Sequence, residues 1–167
     1  MIQTIAIGRY VAGGPWAERL LTSQVQHLKA SFRTGERREE RRLFGPDGEI
    51  VDQAAARALL RVAGGARVAF HRVILSTPAV ARRDDLETWT RLVLMDIGQA
   101  RGQRLVWAAA VHGNTTHIHA HILLGGRAVR TCWPDMGTTT DVELHLTDYA
   151  LLRARGDTRA GHIAVLR

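Results

Sequence analysis

Val111-His112-Gly113-Asn114-Thr115-Thr116-His117-Ile118-His119-Ala120-His121-Ile122-Leu123-Leu124 holds four histidines within ten residues, three of them alternating with apolar side chains. Residues two apart in a β-strand point to the same face. The spacing therefore predicts a strand with His117, His119 and His121 on one side and Ile118, Ala120 and Ile122 on the other. Gly113-Asn114 is a turn signal. A reversal there makes residues 104–112 and 117–124 a hairpin, with His112 ending the partner strand beside the other imidazoles. Such clustering points to a divalent-metal site or an acid/base centre. A solvated hairpin with hydrogen-bonded histidines explains one such residue more readily than four.

Outward from this hairpin, residues 4–11 read as a strand broken by Gly13-Gly14-Pro15, and 67–75 as another. Leu21, Val25, Leu28 and Phe32 recur at helical spacing over 16–32. Residues 33–48 read as a charged loop ending in the turn Gly45-Pro46-Asp47-Gly48. A short helix at 53–62 follows the capping residue Asp52. A longer helix at about 85–98 has Asp84 or Asp85 as its cap. Beyond the hairpin come a loop, a strand at 142–146 and a short helix from Thr147 or Asp148. The expected fold class is α/β (α+β): one domain over residues 1–167, with a central, mainly antiparallel sheet flanked by helices. The metal site is expected on one face of the sheet and the helices on the other.

The 167 residues are 46% hydrophobic, which argues against disorder, and the net charge is +7. Lys29 is the only lysine. An arginine-rich, positively charged chain suits a polyanion such as nucleic acid; the alternative explanation of the arginine bias is genome composition. No apolar run reaches the length of a membrane span, so no membrane association is expected. The N-terminus lacks a signal-peptide pattern and Cys132 is the single cysteine, so a cytoplasmic setting is expected. Arg37, Arg38, Arg41 and Arg42 are interleaved with Glu36, Glu39 and Glu40. Such mixed-sign runs are usually solvated loops, with grip on a DNA backbone as the alternative. Trp107 reads as core, Trp133 as a base-stacking candidate, and Asn114 as a turn residue or a group orienting a histidine.

The stretch from Trp107 to Arg127 resembles the third motif of plasmid relaxases, roughly W-x-A-x-x-H-x-N/D-T-D-H-P-H-x-H followed by an apolar run and a basic residue. Relaxases are members of the HUH endonuclease superfamily, which nick one DNA strand through a tyrosine and stay linked to its 5′ phosphate. The strand ending in Ser76-Thr77-Pro78, the helix from Leu86, Asp148-Tyr149, and Arg153 with Arg155 are similar to further family features. The resemblance implies a relaxase-like fold and a divalent metal, Mg²⁺ or Mn²⁺, held by His112, His119 and His121. It also implies contacts to single-stranded DNA through His117, Arg127, Arg153 and Arg155, and mobilisation or replication proteins as partners. Thr116 and Ile118 stand where the motif has aspartate and proline. His27-Leu28-Lys29-Ala30-Ser31-Phe32-Arg33 resembles the family's tyrosine-bearing segment, with Ala30 at the tyrosine position and Phe32 read as core. The nucleophile candidates are then Tyr149 and Tyr10, and a catalytically silent DNA-binding module is the alternative.

His117-Ile118-His119-Ala120-His121-Ile122-Leu123 is also similar to the motif of histidine-triad, Hint-like nucleotide hydrolases. In that family the middle histidine, here His119, attacks a phosphate without a metal. That resemblance leaves His112, Arg153, Arg155 and the N-terminal fifty residues without a role.

Overall fold

The computed structural model describes residues 3–30, 33–34, 37–38, 41–113 and 117–165. The chain begins with β1 (Ile5–Ala12), α1 (Ala17–Lys29) and two short strands, β2 (Arg33–Thr34) and β3 (Arg37–Arg38). It continues with β4 (Leu43–Gly45), β5 (Gly48–Ile50), α2 (Gln53–Val62), β6 (Val68–Ser76) and α3 (Arg83–Ala100). The remaining elements are β7 (Gln103–Arg104), β8 (Trp107–His112), β9 (His119–Gly125), β10 (Arg127–Arg130), β11 (Thr139–Asp141) and α4 (Leu146–Val165).

Six strands form one sheet in the order β1-β6-β9-β8-β4-β5, and every pairing in it is antiparallel. The α+β class and the β8–β9 hairpin are therefore as expected. The central strands β6, β8 and β9 are apolar on one face, apart from buried His71 hydrogen-bonded to the Val142 carbonyl, and mixed on the other, because successive side chains alternate. On the first face Val73, Leu75, Trp107, Ala109, Val111, Ala120, Ile122 and Leu124 pack with Leu86, Trp89, Val93 and Ile97 of α3 and with Leu152 and Ala160 of α4. On the second, Phe70, Ala108, Ala110 and Leu123 pack with Leu21, Val25 and Leu28 of α1 and with Ala56 and Leu60 of α2.

Helices thus cover both faces, which corrects the expectation that the histidine face would be left open. The cause is the Leu21, Val25, Leu28 stripe of α1, which has an apolar surface to bury and finds it on the histidine face. Asp52 caps α2 as expected, its carboxylate accepting from the Ala55 N–H at 2.7 Å. The residue capping α3 is Arg82, and Asp84 and Asp85 lie in its first turn.

The segment read as a charged loop, 33–48, contains the β2–β3 pair, β4 and the first residue of β5, and β4 pairs with both β5 and β8. Residues 127–130 and 139–141 form β10 and β11, which pair with each other in a small separate sheet alongside β7. No strand forms at 142–146, and the final helix is 20 residues long rather than short. Phe32, Asn114 and Thr116, as well as Glu36, Glu39 and Glu40, lie outside the described residues.

Candidate metal centre

His112 is the last residue of β8 and His119 the first of β9, and the register pairs them directly. His121 lies opposite Ala110 on β8 and Ile74 on β6. Because β-strand side chains alternate, His112, His119 and His121 all point to the face covered by α1. The His112 and His121 rings stack with centroids 4.0 Å apart, and the His119 ring lies 4.9 Å from His121 and 5.7 Å from His112.

A further imidazole comes from the last turn of α1. His27 sits beside the buried stripe of Val25 and Leu28, so its ring overhangs the sheet, 5.6 Å from the His112 ring and 5.5 Å from that of His121. One donor nitrogen each from His27, His112 and His121 lie within 4.8 Å of one another. The set that meets this spacing has His27 beside the expected His112 and His121, and the ring of the expected His119 lies nearer to His121 than that of His27, at 4.9 against 5.5 Å. The His119 Nδ1–H donates to the His117 carbonyl at 3.1 Å, which leaves its lone pair on Nε2.

Burial and neighbouring charge hold His112, His121 and His27 below the ordinary imidazole range. His112 is buried, and its pKa is pushed down to about 2, first by desolvation and then by His121 and Arg41. His121 is lowered to about 4, by burial and then by His119 and His27. His27 is lowered by burial, then by the charges of Arg41 and Arg72. Neutral imidazoles are the form that binds a metal.

Arg41 is buried, and its guanidinium N–H donates to His112 Nε2 at 3.0 Å. A guanidinium has no acceptor and stays charged at neutral pH. The three imidazoles are a donor set that fits a divalent metal, and Arg41 is the cation that must leave His112 Nε2 if that nitrogen is to ligate one. The basic run divides at this point. In extended chain, Arg41 and Leu43 face the histidines, whereas Arg42 and Phe44 face α3, where Arg42 pairs with Glu87 and Asp84. Ser76 adds a tie from β6, its hydroxyl donating to the Ile118 carbonyl at 3.0 Å just ahead of His119.

The other expected site residues are not gathered here. His117 is exposed and contributes its carbonyl to His119. Tyr10 is paired with His71, on the face of β1 and β6 that carries Ala6 and Val73 rather than Arg9 and Arg72. Tyr149 is half-buried in the α4 core, its ring and hydroxyl against Gly8, where any Cβ would collide with them. Burial and the Asp148 charge raise the Tyr149 pKa, the reverse of what activates a phenol. Both tyrosines are thus separated from the imidazoles by the sheet.

Asp148 itself is structural, binding Arg101 at 2.8 Å and accepting from the His145 N–H at the start of α4. Arg153 and Arg155 are exposed on α4, also across the sheet. Arg127 donates to Thr139 beyond the far end of β9, on the order of 20 Å from His119 by strand rise. Trp107 is core, edge-on to Phe44 at 5.7 Å, and Trp133 is exposed.

Neither His27 nor Arg41 stands out from the sequence as a neighbour of the histidine cluster. The signals for His27 are its place one position from a buried helical stripe and at the head of the segment that resembles the family's tyrosine-bearing one.

An antiparallel sheet with helices on both faces and an imidazole centre beneath one helix defines the class of this molecule. No family model matches the chain, and no curated protein matches it. Among solved structures, the chain is similar to one described as the molecular basis of vancomycin resistance transfer in Staphylococcus aureus. The TM-score is 0.52 at 10% identity, over 95% of this chain and 91% of that one. At that identity the likeness is one of fold. Among the described residues, no helix is long and apolar enough to cross a membrane.

Proposed function

We propose that the chain is a relaxase-like protein that binds single-stranded DNA at a divalent-metal centre and does not form a tyrosyl–DNA adduct. The observation that carries the reading is the convergence of His27, His112 and His121, with His119 alongside, on one face of the sheet while Tyr10 and Tyr149 occupy the other. The fold-level likeness to a structure from resistance transfer supports it. His27, His112 and His121 would hold the metal, and His119 is placed to join them or to meet a bound phosphate. A bound metal supplies Lewis-acid polarisation of a phosphodiester oxygen. Imidazole donors suit transition metals better than Mg²⁺, which prefers oxygen ligands, so Mn²⁺ is the better match of the two metals expected. Arg41 keeps positive charge beside the ligands, where a phosphate would meet it.

The test is a gel assay of labelled single-stranded oligonucleotides with Mn²⁺, run beside fluorescence anisotropy. The expected result is metal-enhanced binding that His112→Ala weakens, no covalent adduct, and identical behaviour of Tyr10→Phe and Tyr149→Phe. An adduct lost in either tyrosine variant would overturn the proposal. Metal-independent turnover of a nucleoside phosphoramidate, lost in His119→Ala, would move the protein to the histidine-triad hydrolases.

A further inference from the structure

A groove of about 260 Å³ opens beside the histidines, between α1 and strands β1, β6 and β9. Its lining includes Arg9, Gln24, His27, Arg72 and His121, and no carboxylate. Arg9 and Arg72 are direct cross-strand partners in the β1–β6 register. As directly opposed residues of a strand pair they share a face, the one on which Ile7, Ile74 and His121 also lie. Like charges directly opposite on a strand pair are destabilising. Among the described residues, neither arginine has an ion-pair partner. Arg72 is the diagonal neighbour of His121, since His121 faces Ile74 two residues along β6, which sets their Cα atoms about 7–8 Å apart. The charge of Arg72 is felt at His27 and His121, so the groove and the metal centre share one electrostatic field.

We infer that Arg9 and Arg72 form a phosphate subsite that grips the phosphodiester next to the one held at the histidines. The inference rests on the single-stranded-DNA reading above and gives the strand a direction of travel, from the imidazoles across β6 toward β1. A second phosphate within arginine reach offsets the repulsion that the pair otherwise carries, and Gln24 on α1 supplies a neutral donor from the opposite wall.

The experiment compares the intact protein with Arg9→Gln, Arg72→Gln and the double variant. Oligonucleotide binding is measured by anisotropy across a salt series, without metal and with Mn²⁺, and thymidine monophosphate serves as a second ligand. Each arginine that contacts a phosphate should lower the magnitude of the salt slope by about 0.7, and the double variant should bind about tenfold more weakly. The melting temperature should hold or rise, because a like-charge pair has been removed, which separates lost grip from lost folding. Mn²⁺ affinity should hold or tighten, because positive charge has left the centre.

An unchanged slope and affinity in the double variant, with Mn²⁺ and DNA still bound, would overturn the subsite and leave the proposed function standing. Binding of the mononucleotide but not the strand would overturn it in favour of a nucleotide site. Absence of DNA binding in the unmodified protein would overturn both.

Discussion

β9 turns His119, His121 and Leu123 toward one side and Ala120, Ile122 and Leu124 toward the other, and the two sides of the sheet differ in kind. The α3–α4 side is packed with large side chains. Trp89, Leu86, Ile97 and Leu152 are fully buried, and the Trp89 indole N–H donates to the Gly156 carbonyl at 2.9 Å. Its charged groups are neutralised in pairs, Arg159 with Asp96 and Arg101 with Asp148. The α1–α2 side has a smaller core with alanines on β8, and beyond it lie imidazoles and the cations Arg9, Arg41 and Arg72. One side holds the larger core, and the other holds the imidazoles and cations on which the proposed function rests. A resemblance between sequences does not by itself say which side a residue occupies.

The sharpest way to break this contrast is Trp89→Ala, which removes a fully buried tryptophan from the α3–α4 core. The loss should be about 3–5 kcal/mol in urea unfolding. A small loss would mean that the α3–α4 face is not the main core.

Acid acts most strongly on the other face, and buried His71 on the α3–α4 face, also lowered by desolvation, adds to the same trend. The unfolded chain takes up histidine protons below about pH 6.5, whereas folded His121 does so only near 4 and His112 near 2. The unfolded state therefore binds more protons in that window, and the metal-free protein should lose stability as the pH falls. The slope is at most about 1.4 kcal/mol per pH unit for each group, levelling off for His121 near pH 4 and continuing for His112. Chemical denaturation of metal-free protein from pH 7.5 to 4.5 measures it, and a flat profile would place the imidazoles in solvent.

A smaller effect locates Tyr149. Gly8→Ala drives a methyl group into its ring, at a cost of about 1–3 kcal/mol. Gly8→Ala with Tyr149→Ala should be destabilised by less than the sum of the two single variants, because the collision is removed. Additivity would place the phenol elsewhere.

The β8–β9 hairpin was legible because alternation with a turn signal is a local pattern, and α2 because Asp52 precedes a clear helical stripe. The β4–β5 hairpin was not. Its strands are three residues long, too short for a period to show, and Pro46-Asp47 alone joins them. Once β4 is placed, the opposite destinations of Arg41 and Arg42 follow from alternation. His27 reaches the centre through the packing of α1 on the sheet, a long-range event that no local spacing records. Tyr149, Arg153 and Arg155 were carried by resemblance along the chain, and the fold puts α4 across the sheet from the histidines.

The central claim is a metal centre completed by a histidine from α1. Isothermal titration of Mn²⁺ into the protein and into His27→Ala, His112→Ala, His121→Ala and His117→Ala tests it most directly. The account predicts that the first three substitutions each abolish or severely weaken binding, while His117→Ala binds like the unmodified protein. Full binding by His27→Ala, or loss of binding in His117→Ala, would contradict it.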